Sequence, residues 1–209
     1  IDTGLFDFAN RLRPVGEQPD VVLVEIDDAS LGQIGRWPWP RAVHAAMLGE
    51  LTRAGARAIG LDLLLAEPGS DDTILDEAIA AAAPTVLPVS AYRIGSERPW
   101  PLYPSWESGH RSRLAHAHFR IDDDGAVRGL SLEEAGLPAF SLGVLDAGGR
   151  TPDAAPARRA LLMATQSRRE SGLATGTWPS SEFVLLPVVR AATQRESYAA
   201  VLRGEVDMR

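Results

Sequence analysis

The period of the hydrophobic pattern changes several times along the chain, and each change marks an element. Residues 21–26, Val-Val-Leu-Val-Glu-Ile, form an almost wholly apolar run of the kind that suits a strand buried on both faces. The run ends at Glu25, Asp27 and Asp28, and an irregular aromatic segment follows, with Trp37-Pro38-Trp39-Pro40 at its centre. Residues 42–54 then set Val43, Met47, Leu48 and Leu51 at helical spacing, and Gly55 stops the helix. A second apolar run covers 58–65, broken by Asp62 and closed by Pro68. Strand, crossover helix and strand of this length predict one right-handed βαβ unit with parallel strands.

The pattern continues beyond this unit. Ser70 is the expected N-cap of a helix over 73–83, with Asp71 and Asp72 at its positive end. Residues 85–91 predict a third strand, so the order becomes βαβαβ, that of a layered α/β sheet. Residues 95–113 break the pattern with Pro99, Pro101, Pro104, Trp100, Tyr103 and Trp106, and read as a lid or a surface insertion. Alternation resumes over 114–121. Asp122-Asp123-Asp124-Gly125 supplies a turn, and 126–132 returns as the partner strand of a hairpin. Residues 140–147 predict a helix ended by Gly148-Gly149. Further on, 160–164 and 183–189 are apolar enough for strands, 172–181 reads as a loop, and 196–203 as a short helix. Residues 1–12, with Leu5, Phe6, Phe8 and Leu12, fit one amphipathic helix ended by Pro14. The fold class expected is α/β: one domain, a mainly parallel sheet with helices on both faces, and an appended antiparallel hairpin.

Composition narrows the function classes. The 209 residues carry a net charge of −7, and every basic side chain is Arg. Nucleic acid and anionic membrane surfaces reward a basic face, so neither is expected as the main partner. With no cysteine, disulfides, thiolate metal sites and Cys nucleophiles are excluded. No apolar run approaches the ~20 residues that cross a bilayer. The chain opens at Ile1 without a Met, as a segment of a longer protein would.

Three groups of residues invite chemistry. Asp27, Asp28 and Asp62 fall at the carboxyl ends of the first two predicted strands, where parallel sheets bind ligands. They suit a hard cation or acid–base work, which defines the alternative reading of a metal-assisted α/β hydrolase. The competing reading is structural: Asp28 caps the following segment, and Asp62 orders a loop or pairs with Arg36 or Arg41. Trp37, Trp39 and Arg41 suit the floor of a ligand pocket, or a wedge in which both rings are buried between helix and sheet. His116 and His118 share one strand face and read as a solvent-facing hairpin edge. Gly55 to Gly60 lies before a strand, the wrong context for a phosphate cradle, and no Gly-x-Ser-x-Gly elbow occurs.

Several of these residues carry a family likeness. The strand ending Glu25-Ile26-Asp27-Asp28-Ala29-Ser30-Leu31 and the block Gly35-Arg36-Trp37-Pro38-Trp39-Pro40-Arg41 resemble the type-two CHASE domain, the cyclase- and histidine-kinase-associated sensory extracellular module of bacteria. Ala54-Gly55-Ala56, Gly60-Leu61-Asp62 and Glu67-Pro68 extend the likeness. Weaker matches run through Asp122 to Arg128 and Ser197 to Gly204. The block with two Trp-Pro pairs is its most specific part.

The resemblance implies an extracytoplasmic, periplasmic ligand-sensing input domain of a bacterial inner-membrane receptor. A nucleotide cyclase, diguanylate cyclase or kinase output would lie outside this sequence. It also implies membrane anchoring through flanking segments, and a final Val/Ile-rich strand beyond Arg209. No catalytic residue, cofactor or metal is expected. The expected partners are a small-molecule ligand and a second copy of the chain in a homodimer. Should a ligand bind, Asp28, Trp37, Arg41 and Asp62 are expected to line its site, with the 95–113 loop as cover. A structural or dimerisation module without a ligand is the third reading.

Overall fold

A computed structural model of the protein describes residues 16–65, 67–89, 114–117, 119–121, 124–134, 136–149, 183–185 and 191–206. The expectations for residues 1–12, 95–113, 160–164 and 172–181 lie outside them. The described residues mix helices with parallel-strand sheets, an α/β chain, and fall into two compact units.

The first unit holds the described residues up to Ala56, those of 69–83, and 191–206. Its strands are β1 (Gly16–Glu25) and β10 (Ala191–Ser197), paired in parallel with Leu23 opposite Arg195 and Glu25 opposite Ser197. Its helices are α1 (Asp28–Ile34), α2 (Arg41–Arg53), α3 (Asp72–Ala81) and α5 (Tyr198–Leu202). The core of this unit is Trp39, Met47, Tyr198 and Val201, with Val24, Ile26, Leu31, Val43 and Leu51 packed against it.

Three expectations change here. The 21–26 run is not buried on both faces: Val21 is 48% and Leu23 44% exposed, whereas Val24 and Ile26 reach the core. The strand is therefore half-buried despite its unbroken apolar sequence. Its ladder runs to β10 and not to the second apolar run, so among the described residues these two runs do not pair to close the expected βαβ unit. Residues 28–34, included in an irregular segment, are helical because Asp27 supplies a cap.

Helix α2 ends as its glycine foretold. Gly55 adopts φ +89°, and the amides of Gly55 and Ala56 donate to the carbonyls of Thr52 and Leu51. This reciprocal pair satisfies the last turn, and the positive φ is what calls for glycine. Thr52 then joins α2 to the end of α3: its hydroxyl donates to Leu48 O (2.7 Å) and accepts from Ala83 N (3.0 Å). Helix α3 begins at Asp72, with Asp71 and not Ser70 at its N-cap position. The Asp71 side chain makes no cap hydrogen bond; the Asp72 carboxylate accepts instead from Gly69 N at 2.7 Å, in the segment before the helix.

In the second unit, β2 (Ile59–Gly60), β3 (Thr85–Val89) and β4 (Leu114–His116) form a parallel sheet in that order. Every residue of β3 is buried, the two-sided burial that a central parallel strand requires. The short strands β5 (Phe119–Ile121), β6 (Val127–Ser131) and β9 (Phe183–Leu185) form a second, antiparallel sheet, while β7 (Glu133–Glu134) pairs with β8 (Leu137–Pro138). Helix α4 (Phe140–Ala147) packs on β2, β3 and β4. Its approach to β2 is close: a Cβ on Gly60 would lie 2.9 Å from Val144 Cγ2 and 3.0 Å from Phe140 Cζ. The predicted strand over 114–121 divides into β4 and β5, and the predicted helix over 196–203 begins at Tyr198, because Glu196 and Ser197 belong to β10.

Candidate functional site

The first unit concentrates its polar chemistry where β1 and β10 end. Asp27 takes extended backbone angles as N-cap of α1, and its Oδ1 accepts from Ser30 N at 2.8 Å. The same oxygen accepts from Ser30 Oγ (2.5 Å) and Ser197 Oγ (3.0 Å). Ser30 is fully buried, and its hydroxyl also accepts from Ala199 N at 3.0 Å. One carboxylate thus ties the end of β1 to the first turn of α1 and to the β10–α5 junction. The Ser30 hydroxyl and amide, with a lesser contribution from the Ser197 hydroxyl, hold the Asp27 carboxyl below the usual carboxylate range against the opposing effect of burial. The expected cap was Asp28. The structure assigns that role to Asp27 and leaves Asp28 exposed in the first helical turn.

Beside this cluster lies an aromatic group made by the Trp-Pro block, α2 and α5. Trp39 is 3% exposed, donates from Nε1 to Gly35 O at 2.8 Å, and sits 5.1 Å between ring centroids from Tyr198. Trp37 packs edge-on against Trp39 and His44, at 5.4 and 5.7 Å. His44 is buried, with Nδ1 2.9 Å from the Tyr198 hydroxyl and Nε2 without a hydrogen-bond partner among the described residues. Burial, reinforced by the Arg41 guanidinium, lowers the His44 pKa to about 4, so the ring is neutral near pH 7. Burial also pushes the Tyr198 hydroxyl well above the ordinary phenol range, so it stays protonated.

The wedge expectation therefore holds for one ring of the pair. Trp39 is core, whereas Trp37 remains 39% exposed, because its ring lies over the outside of Trp39 and His44. Arg41 is half-buried and pairs through Nε with Asp72 Oδ1 at 3.2 Å. This ion pair is the one that residue types alone had offered to Asp62. Of the four residues expected to line a site, Asp28, Trp37 and Arg41 belong to the first unit; Asp62 is exposed and belongs to the second.

His116 does not face solvent. It is fully buried in β4, in register with Val89 of β3. The burial follows from β4 being a sheet strand flanked by β3 and bridged to Ala139, not a hairpin edge. His118 and His110 lie outside the described residues. Ser30, Ser197 and Tyr198 entered the sequence reading only within blocks that carry the family likeness, and none of them, nor His44, was given a site role. Asp is a preferred N-cap residue, a signal that could have flagged Asp27 itself. Nothing local could have flagged the partners of Ser30 and His44, more than 150 residues away.

Among the described residues, no three His, Asp or Glu side chains are grouped to hold a metal ion. No helix is long and apolar enough to cross a membrane among them either. What the arrangement can do is join distant segments: a carboxylate–hydroxyl cluster and a His–Tyr contact both fasten the β10–α5 junction.

No curated protein and no solved structure matches the chain. The CHASE2 domain family matches it over residues 1–208. The chain accordingly belongs to the CHASE2 family, a family of sensory extracellular domains.

Proposed function

We propose that this chain is the extracytoplasmic, ligand-sensing input domain of a bacterial transmembrane receptor whose cytoplasmic output is a nucleotide cyclase, a diguanylate cyclase or a kinase. The observation that carries the reading is the family match across residues 1–208. The fold is compatible with a relay. The last described strand and helix, β10 and α5, are bound side by side with the first strand through Asp27, Ser30 and Ser197. A change in either segment is therefore felt by the other, which is what a two-state receptor domain needs.

Within the first unit, the residues proposed to meet a small ligand are Asp28, Trp37 and Arg41. Trp37 is the exposed ring of the aromatic group and offers a stacking face. The hydrolase alternative draws no support from Asp27, whose Oδ1 already accepts from three donors.

A thermal-shift screen of the chain against divalent metals and small metabolites tests the reading. Stabilisation by one metabolite class without turnover is expected. Stabilisation by a metal together with hydrolysis would replace the sensor by the enzyme, and silence across the screen would favour a structural module.

A further inference from the structure

Helix α5 is fastened at two places by different chemistry. At its start, Ser197 Oγ and Ala199 N are held by Asp27 and Ser30. Along its body, the Tyr198 hydroxyl meets Nδ1 of His44 on α2, and Tyr198 and Val201 are buried in the core of this unit. These fastenings differ in their response to protons. A neutral imidazole can serve Tyr198 through Nδ1, but an imidazolium would place a charge among Trp37, Trp39 and Tyr198, with the Arg41 cation nearby. Its second nitrogen, Nε2, is buried without a hydrogen-bond partner among the described residues, so none of them is an acceptor ready to share that charge.

The titratable and charged groups that bear on His44 are Tyr198 from α5 and Arg41 from its own helix, Arg41 being paired with Asp72 of α3. The Trp-Pro block contributes the uncharged rings of Trp37 and Trp39. Among the described residues, no carboxylate hydrogen-bonds the His44 ring. The Asp27 fastening behaves oppositely. Its hydroxyl and amide donors favour the carboxylate, so mild acid leaves it ionised and bound.

We propose that the His44–Tyr198 contact is an acid-operated latch: proton uptake by His44 frees α5 from α2, while Asp27 and Ser30 keep its first turn tethered and make Ser197 the hinge. The proposal concerns the chain's own fold and stands whether or not a small ligand binds. A released His44 returns to its ordinary value of 6.5, against about 4 in the closed state. The open fraction therefore rises about fiftyfold between pH 7 and pH 4.5.

Amide hydrogen exchange on the 209-residue chain, expressed as protection relative to intrinsic rates, reads this directly. Arg203, Gly204 and Glu205 donate to Ala199, Val201 and Ala200, so their amides report α5. Their protection should fall about fiftyfold from pH 7 to pH 4.5 and stay below that of the Ser30 amide, held by Asp27, and of the α3 amides, which open only with the unit as a whole. The variant His44→Gln, which is polar but does not titrate, should abolish the difference. Should that variant not fold, the ring protons of His44 in the unaltered chain give the second reading. They should titrate in the folded chain near pH 4, below the range in which α5 protection falls. The latch is overturned if α5 protection is independent of pH, if α5 and α3 open with the same free energy at every pH, if His44→Gln keeps the effect, or if His44 titrates near 6.5 in the folded chain.

Discussion

Ala199 donates its backbone amide to the hydroxyl of Ser30 at 3.0 Å, a bond between residues 169 positions apart in a fully buried setting. Ser30→Ala removes that acceptor together with the hydroxyl's own bond to Asp27. A buried amide left without a partner costs about 2 kcal/mol. Urea unfolding should show this loss, and a midpoint equal to that of the unaltered chain would mean that water or a shifted backbone replaces the hydroxyl.

The two tryptophans of the Trp-Pro block should respond unequally. Trp39→Ala removes a buried ring and its bond to Gly35, and should cost ~4 kcal/mol, in the range for buried aromatics. Trp37 is 39% exposed, so Trp37→Ala should cost about 1–2 kcal/mol. Equal losses from the two changes would show that Trp37 is covered in solution.

His44 makes overall stability pH-dependent, with a definite sign. The folded state holds the imidazole neutral down to about pH 4, whereas the unfolded chain binds the proton near its ordinary value of 6.5. Between these values the unfolded state carries more protons, so stability is full above pH 6.5 and falls as the pH drops toward 4. At pH 4 the loss from this group is ~3 kcal/mol relative to pH 7. Denaturant titrations at both pH values, on the unaltered chain and on His44→Gln, isolate it as the difference between the two slopes with pH. Parallel pH profiles would contradict the assignment.

Gly60→Ala tests the second unit by itself. The added methyl would overlap the side chains of Val144 and Phe140, which must shift to admit it. Overpacking of this kind costs about 1–3 kcal/mol. Thermal melts should detect it, and pairing it with Val144→Ala should recover part of the loss. No recovery would place the strain elsewhere.

What the sequence made legible follows from how local each signal is. The helix over Arg41–Arg53, its glycine stop and the helix over Phe140–Ala147 rest on spacing within a few turns, and they stand where expected. Strand β10 was missed because Ala-Ala-Thr-Gln-Arg-Glu-Ser has no apolar face of its own. It is a strand because β1 offers it a ladder more than 160 residues away in sequence. The same distance hid the site residues. Asp27 looked like one member of an acidic group, and only the arrival of Ser197 and Ala199 shows that it is a fastening. Trp37 and Trp39 are two positions apart with the same side chain. Their different burial is set by Tyr198 and His44, which share no local pattern with them.

The central claim, that this chain is an input domain on the outer side of the membrane, has a direct measurement. The chain contains no cysteine, so one introduced on an exposed helix position, Glu77→Cys in α3, is its only thiol. In the native gene product, with any cysteine outside this chain replaced, a membrane-impermeant maleimide is applied to intact spheroplasts. The account predicts labelling of Glu77→Cys before lysis, to the same extent as after it. Labelling that appears only once the membrane is broken would place the domain on the cytoplasmic side and contradict the account.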